Sequence, residues 1–543
     1  MVAPGLSLSG ADELGAVVDI CRRLDGIPLA IELAASRMVS MTAVEVWDRL
    51  DDRFRLLVGS RRGLERHHTL RHAVQWSYDL LDEAEKTLLA WCSVFAGGFD
   101  LAGARAVAGS GDDFVALDLL DALVRKSLLV ADRSSGRTRF SMLETIRQFA
   151  EEQLAAAGEA DSVRDAHARY FAGREADVLA LWDGPHQREA YAWFTVELAN
   201  LRAAFRWAAD HHDLDTAAAI AIYATFLGFW IGQHEAIAWA EELIAPARAV
   251  ENRRLAQLYM MAAQCHVTGR LEDFLGYSQA GQAAIESRRF DEVGEQFEAT
   301  LGSGYLTVGQ PERAVHWCHT VIARGPGTHT YARICLVLGL IMAGASVEAM
   351  AASEGLLDAP EVTDNPSVAA WALHAYGWAY CDADPAAAYG ALRRGLTIAQ
   401  DSGNREMESG LAVMLSRLAA AHGDPMDAFD FLNLAIRHYY DSGGFSSMSG
   451  PLAVLAALFD RLGYYEPAAT ISAFAATPLT RAALPEINST ITHLREVLGD
   501  QAYESVARTG EHMSNAAMAT YALDQIDRAR AELGHTEHLH ERR

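Results

Sequence analysis

The sequence predicts a mainly α-helical protein: a small helical region and a winged helix with one short β-hairpin, followed by an α-solenoid of helical repeats. Three observations predict it. Apolar residues recur three and four positions apart through almost the whole chain, as they must when one stripe of a helix is buried. β-Rich alternation is confined to one stretch, 127–142. Beyond residue 160 a turn followed by a helix start returns at near-constant intervals, the mark of stacked repeats.

Residues 1–57 read as a helical segment. The first helix runs from Asp12 to Leu24, where Leu14, Val17, Val18 and Cys21 share a face. Gly26 punctuates, and Pro28 suits the first position of a helix reaching Met38, because its missing N–H has no intrahelical partner there. A third helix begins at Thr42, placed with Glu45 to form a capping box. Residues 58–68 read as a basic linker within a longer basic stretch (Arg53, Arg55, Arg61, Arg62, Arg66, His67, His68, Arg71, His72). Two readings of that stretch are open, a contact for nucleotide phosphates and a solvated linker.

Residues 69–157 form a second unit, with helices expected over 69–81, 82–95, 100–108 and 113–126. Strands over 127–132 and 137–142, separated by Ser134-Ser135-Gly136, make a hairpin. A closing helix over 143–154 completes the order of a winged-helix domain. From 160 to 530 the repeats take over, and 531–543 is a polar tail. Gly309-Gln310-Pro311, Asp382-Ala383-Asp384-Pro385, Gly423-Asp424-Pro425 and Gly463 to Pro467 mark successive repeats, with 40 residues from Pro385 to Pro425 and 40 from Gly423 to Gly463. One helix pair per step cannot bury its own apolar face, so stacking supplies the core and an elongated, curved solenoid results.

Composition narrows the function. Hydrophobic residues make up 50% and charged residues 22%, enough apolar surface for a packed interior. Asp and Glu outnumber Lys and Arg by 72 to 46, and a net charge of −26 repels nucleic acid and anionic membranes. Direct nucleic-acid binding and membrane association are therefore not expected. Six scattered cysteines without a C-x-x-C pair suit reduced, buried thiols in a cytoplasmic protein. No secretory signal is legible at the start, and the apolar run Ala217–Ile231 is shorter than the roughly 20 residues needed to span a bilayer.

Chemistry is limited by what is missing from the sequence. It holds two lysines, Lys86 after Asp-Glu-Ala-Glu and Lys126 after Ala-Leu-Val-Arg, and neither follows the glycine-rich turn of a P-loop. H-E-x-x-H, G-x-S-x-G and G-x-G-x-x-G are also absent. The tail histidines His535, His538 and His540 read as part of a solvated terminus. No catalytic residue, no metal site and no cofactor bound by the chain alone are expected.

The run Cys21-Arg22-Arg23-Leu24-Asp25-Gly26-Ile27-Pro28-Leu29-Ala30-Ile31-Glu32-Leu33 resembles the G-x-P segment of NB-ARC-like STAND ATPases. Arg53 to Leu57, His68 to Arg71, Trp76-Ser77-Tyr78-Asp79-Leu80-Leu81 and Ser93 to Phe99 are similar to the winged-helix part of large actinobacterial LuxR-type regulators. The likeness is specific over 15–155 and architectural over the repeats, where it implies TPR-like pairs. It implies that residues 1–57 are the ARC-like helical segment, and that Gly26, Pro28, Leu143 and Glu144 stand where relatives contact nucleotide. Pro28 would lie near an adenine. Leu143 occupies the place of a diphosphate-binding histidine in Met142-Leu143-Glu144 and cannot donate a hydrogen bond. The P-loop half is expected before residue 12, outside this chain, and no C-terminal helix-turn-helix of the LuxR type is legible after 485. ADP or ATP would then bind only when a P-loop half completes the site.

A non-catalytic signalling or transcription-regulatory protein follows, its repeats binding a protein, peptide or small effector on their inner face. Trp230, Trp239, Trp317, Trp371 and Trp378 are the groove candidates, with burial in the core as the competing reading of the same residues. A second reading makes the chain the lid and sensor half of a nucleotide-switched STAND ATPase.

Overall fold

The computed structural model describes residues 11–23, 31, 34–35, 38, 41–48, 71, 74–109, 113–134, 136–325 and 327–541. Chain contacts divide it into two compact units, Met1–Gly173 with Val196–His211, and Arg174–Thr195 with His212–Arg543. The second unit thus takes up the chain at Arg174, later than the turn pattern alone placed the first repeat.

In the first unit α1 (Ala11–Arg23) and α2 (Ala43–Asp48) bury Ile20, Ala43 and Val46 in one cluster, which Ala34 from between them joins. The expected capping box is formed: Thr42 N donates to Glu45 Oε2 at 2.9 Å and Glu45 N to Thr42 Oγ1 at 3.2 Å. The basic linker 58–68 and the G-x-P segment with Gly26 and Pro28 lie outside the described residues.

The winged helix follows in the expected order: α3 (Glu83–Cys92), α4 (Leu101–Ala108), α5 (Asp113–Arg125), β1 (Val130–Asp132), β2 (Arg139–Ser141) and α6 (Glu144–Ala157). A second capping box, Asp82 with Glu85, starts α3. The strands pair antiparallel, Ala131 opposite Phe140. Phe99 adds two backbone bonds to Phe140, at 2.8 and 2.7 Å, so the loop before α4 is tied to the wing. Phe95 stacks on Phe99 at 4.8 Å, and α7 (Ala160–Ala172) closes this core by setting His167 edge-on to Phe95. The half of α9 (Gln187–Asp210) in this unit holds the wing from below: Glu197 pairs with Arg139, and Asn200 accepts from Gly97 N at 3.1 Å and donates to Gly98 O at 2.9 Å.

The second unit is the solenoid. Its helices, after α8 (Glu175–Trp182) and the start of α9, are α10 (Leu214–Ile231), α11 (Ala236–Ala249), α12 (Leu255–Ala262, continued by a 3₁₀ turn to Thr268), α13 (Leu271–Ser287), α14 (Glu295–Thr307), α15 (Pro311–Ile322), α16 (Thr330–Met342), α17 (Ser346–Ser353), α18 (Pro360–Asp364), α19 (Pro366–Tyr380), α20 (Pro385–Ser402), α21 (Arg405–His422), α22 (Pro425–Ser442), α23 (Phe445–Leu462), α24 (Tyr465–Ala475), α25 (Pro478–Ala483), α26 (Glu486–Leu498), α27 (Asp500–Glu511) and α28 (Asn515–Glu541). The repeat punctuation has the physical role expected of it. Pro311, Pro385 and Pro425 each open a helix, and Gly403 and Gly443 close α20 and α22 in the left-handed region at φ 79° and 72°. The apolar helix Leu214–Ile231 meets a length and composition test for crossing a membrane, yet 83% of it is buried inside the unit, where it is a core helix of the repeats.

Within this unit the coil returns on itself. Gln187 Nε2 donates to Asn365 Oδ1 at 2.7 Å, and Gln187 Oε1 accepts from Ser367 N and Oγ at 3.0 and 2.8 Å. Tyr191 and Asn404 both reach the same Ser367 hydroxyl, completing a buried polar cluster in which each side chain is partnered. Ser446 Oγ donates to His266 O at 2.6 Å, again across 180 residues. These bonds join one turn of the coil to the next, which a count of helix pairs could not foresee.

Candidate functional site

The winged helix presents α5 as the helix preceding the wing, where DNA-binding members of this architecture read bases. Here Asp113, Asp118 and Asp121 are exposed on it, Asp121 paired with Arg125 and Asp113 with Arg105. Phe114, Val115 and Leu117 are exposed beside them at 78, 51 and 43%. Lys126, at the end of the helix, is committed to the buried Glu85 carboxylate at 2.5 Å. The carboxylates on this face disfavour phosphate contact, two of the three being offset by an arginine partner. The wing itself is more basic, with Arg133 and Arg137 exposed.

Of the nucleotide-contact candidates, Gly26 and Pro28 lie outside the described residues. Leu143 is the N-cap of α6, 38% exposed, with no side-chain capping bond. Glu144 is held by Arg147 through two bonds of 2.7 Å, and Arg147 also reaches Glu151 at 3.2 Å. The structure therefore leaves Glu144 in an ion-pair network along α6.

The five tryptophans separate. Trp230, Trp239, Trp317 and Trp371 are buried. Trp230 stacks on Trp182 at 5.9 Å and meets Trp371 edge-on at 6.1 Å, so these rings pack adjacent turns of the coil together. Trp317 Nε1 donates to Glu298 O at 3.2 Å, and the Arg324 guanidinium lies 5.0 Å above its ring. Trp378 is half-buried and lines a cavity of about 290 Å³ with Ile341, Met342, Met350, Cys381 and Ala483.

Arg417 on α21 borders that cavity and a second one of about 150 Å³, walled by Ala420, Ala453, Val454, Ala457, Leu458 and Ile487. Its side chain is only 12% exposed. Arg417 Nε donates to Glu486 Oε1 at 2.6 Å, Nη2 reaches the same oxygen, and Nη1 lies 2.9 Å from Cys381 Sγ. Burial pushes the Cys381 thiol up to about 11, so the sulfur stays protonated and is a weak acceptor. Sequence reasoning missed this place. One signal was available, an arginine within the otherwise small and apolar run Leu415 to Ala421. Its partner lies 69 residues further on and only folding brings it near. Among the described residues no cluster of three or more His, Cys, Asp or Glu is arranged to hold a metal.

The fold defines a winged-helix protein joined to helical repeats, and the family comparison agrees for the first part: residues 81–155 match the winged helix-turn-helix domain family. Among curated proteins the chain is similar to one of Mycobacterium tuberculosis (strain ATCC 25618 / H37Rv) named "Putative HTH-type transcriptional regulator", 42% identical over 275 residues, 48% of this chain and 31% of that protein. It is also similar to an uncharacterized protein of the same strain, 46% identical over 157 residues, 28% of this chain and 40% of the relative. The chain thus spans less than half the length of these relatives. Among solved structures, a Rap protein complexed with competence and sporulation factor matches with a TM-score of 0.35 and 12% identity, over 67% of this chain and 99% of that one.

Proposed function

We propose that the chain is a non-catalytic, cytoplasmic regulator of signalling or transcription whose helical repeats bind a protein, peptide or small effector, and whose winged helix engages protein rather than DNA. The observation that carries this reading is the α5 face, where exposed Asp113, Asp118 and Asp121 flank exposed Phe114, Val115 and Leu117 within the domain matched to the winged helix-turn-helix family. Likeness to a mycobacterial protein named as a transcriptional regulator supports the regulatory role. Fluorescence anisotropy with a short random-sequence duplex at physiological salt tests the DNA arm: binding weaker than about 100 µM is expected. Micromolar binding that falls steeply with salt would overturn it.

A second reading, as the lid and sensor half of a LuxR-type STAND ATPase of the NB-ARC-like kind, is favoured by one fact: the matching stretch spans only 31% of the transcriptional-regulator relative, so the relative has room for further domains. In that reading Gly26, Pro28, Leu143 and Glu144 face a nucleotide held by a separate P-loop half, and no cofactor binds the lone chain. One apolar contact from Pro28 cannot offset the roughly 4–15 kcal/mol cost of association without phosphate donors. Calorimetry should therefore find negligible ADP or ATP binding by this chain. Joined to a matching P-loop half, Pro28→Ala should weaken nucleotide binding more than Leu143→Ala. Micromolar ADP binding by the lone chain would defeat the proposal, as would a joined pair indifferent to Pro28.

A further inference from the structure

We infer that Arg417 and the apolar cavity beside it form a binding site for a hydrophobic carboxylate, with Glu486 holding the arginine as an internal stand-in until that ligand arrives. This deepens the effector-binding reading above and rests on it.

Geometry carries the inference. Arg417 offers a planar fork of five N–H donors, a shape matched by both oxygens of one carboxylate. Glu486 does not supply that match. Its Oε1 takes both Arg417 Nε and Nη2, while Oε2 is enclosed and bonds nothing. The remaining contacts are poor ones for a cation: Cys381 Sγ at Nη1, and an Asp382 oxygen at 3.6 Å from a side chain that is 84% exposed. The carboxylate that holds this enclosed guanidinium belongs to a side chain that is itself 44% exposed and begins a helix.

The wall beside it sets the rest of the ligand. Ala420, Ala453 and Ala457 keep the cavity open because none projects past Cβ, and Val454, Leu458 and Ile487 make it apolar. A void of about 150 Å³, its lining mostly apolar with Arg417, Arg461 and Glu486 as the charged members, takes one aromatic ring or a branched alkyl group, the size at which an engineered apolar cavity holds benzene. On the other side of Arg417 the larger cavity, with Trp378 and Asp382 in its lining, gives room for the polar continuation of a peptide chain. The shared chemistry is a carboxylate carrying one apolar group. A free arylalkanoic acid and the C-terminal residue of a peptide both provide it.

The test uses the full chain and four probes: 4-phenylbutyrate, its amide, an N-acetylated tripeptide ending in Phe, and the same tripeptide amidated. Isothermal calorimetry should show binding by one or both acids and at least tenfold weaker binding by the matching amide. Binding by the small acid alone identifies a free acid as the ligand source, and binding by the peptide acid alone identifies a chain terminus. Glu486→Gln keeps the fold and removes the competing charge, so it should tighten acid binding about tenfold. Ala457→Phe fills the cavity and should abolish it. Equal affinity for acid and amide, weakened binding in Glu486→Gln, or no binding by any probe overturns the site. Hydrogen exchange with an effector found by other means separates the two claims. Protection of repeat helices away from Arg417, with these probes silent, removes the site and keeps the effector reading; protection of no repeat helix by any effector removes both.

Discussion

Acidification from pH 7.5 to pH 5 should lower the denaturant midpoint, and buried histidines should account for most of the loss. His167, His266 and His374 are enclosed in the core, and burial lowers them from the ordinary 6.5 to about 3, 3 and 4. His266 is lowered further by the neighbouring His234, itself down to about 4. The sign follows from where the protons go. Between pH 6.5 and these depressed values the unfolded chain binds a proton at each site and the folded chain does not, so stability present above 6.5 is lost as pH falls. Each site contributes roughly 1.4 kcal/mol per pH unit in that window, or about 2 kcal/mol by pH 5. The net charge of −26 works the other way, since acid relieves repulsion among carboxylates. Comparison with His266→Met isolates the histidine contribution: the variant should lose about 2 kcal/mol less than wild type over the same range. Identical acid profiles for the two proteins would show that His266 gains its proton without unfolding.

Trp230→Ala should cost about 3–5 kcal/mol of stability, as truncation of a core aromatic does. Its ring touches both Trp182 and Trp371, and Phe226 lies edge-on to it at 6.3 Å, so the cavity left behind has walls on several helices. Trp371→Ala should cost a similar amount. Because the two rings are in contact, the double variant should depart from additivity by about 0.5–3 kcal/mol. Trp378→Ala should be much milder, because that side chain is half-buried at a cavity wall. Urea denaturation of the four variants beside wild type reads all four expectations. A Trp230→Ala protein as stable as wild type would mean that the ring belongs to an adaptable groove rather than to the core.

The tryptophans also show what could be read from the sequence alone. Helical spacing placed all five on helices correctly, but spacing says only that a face is apolar. It cannot say whether that face meets a ligand or the next turn of the same coil. Trp230 and Trp371 are 141 positions apart in the sequence, and the repeat logic that predicted stacking of neighbours contains no information about contact at that separation. The same holds for Arg417 and Glu486, and for Gln187 with Asn365 and Ser367.

Local features were legible wherever the physics is local. The capping box at Thr42, the prolines opening α15, α20 and α22, the hairpin around Gly136 and the helices of the winged domain all arise within a few residues of backbone, where side-chain donors, fixed φ and apolar period act directly. The sequence by itself thus determined the element order, the winged helix and the repeat architecture. Tertiary structure alone decided how tightly the repeats coil, which aromatic residues that coil buries, and where a cation is left between two cavities. Those outcomes depend on small rotations accumulated over many helix pairs, and a rotation shared among dozens of side-chain contacts leaves no motif at any one position.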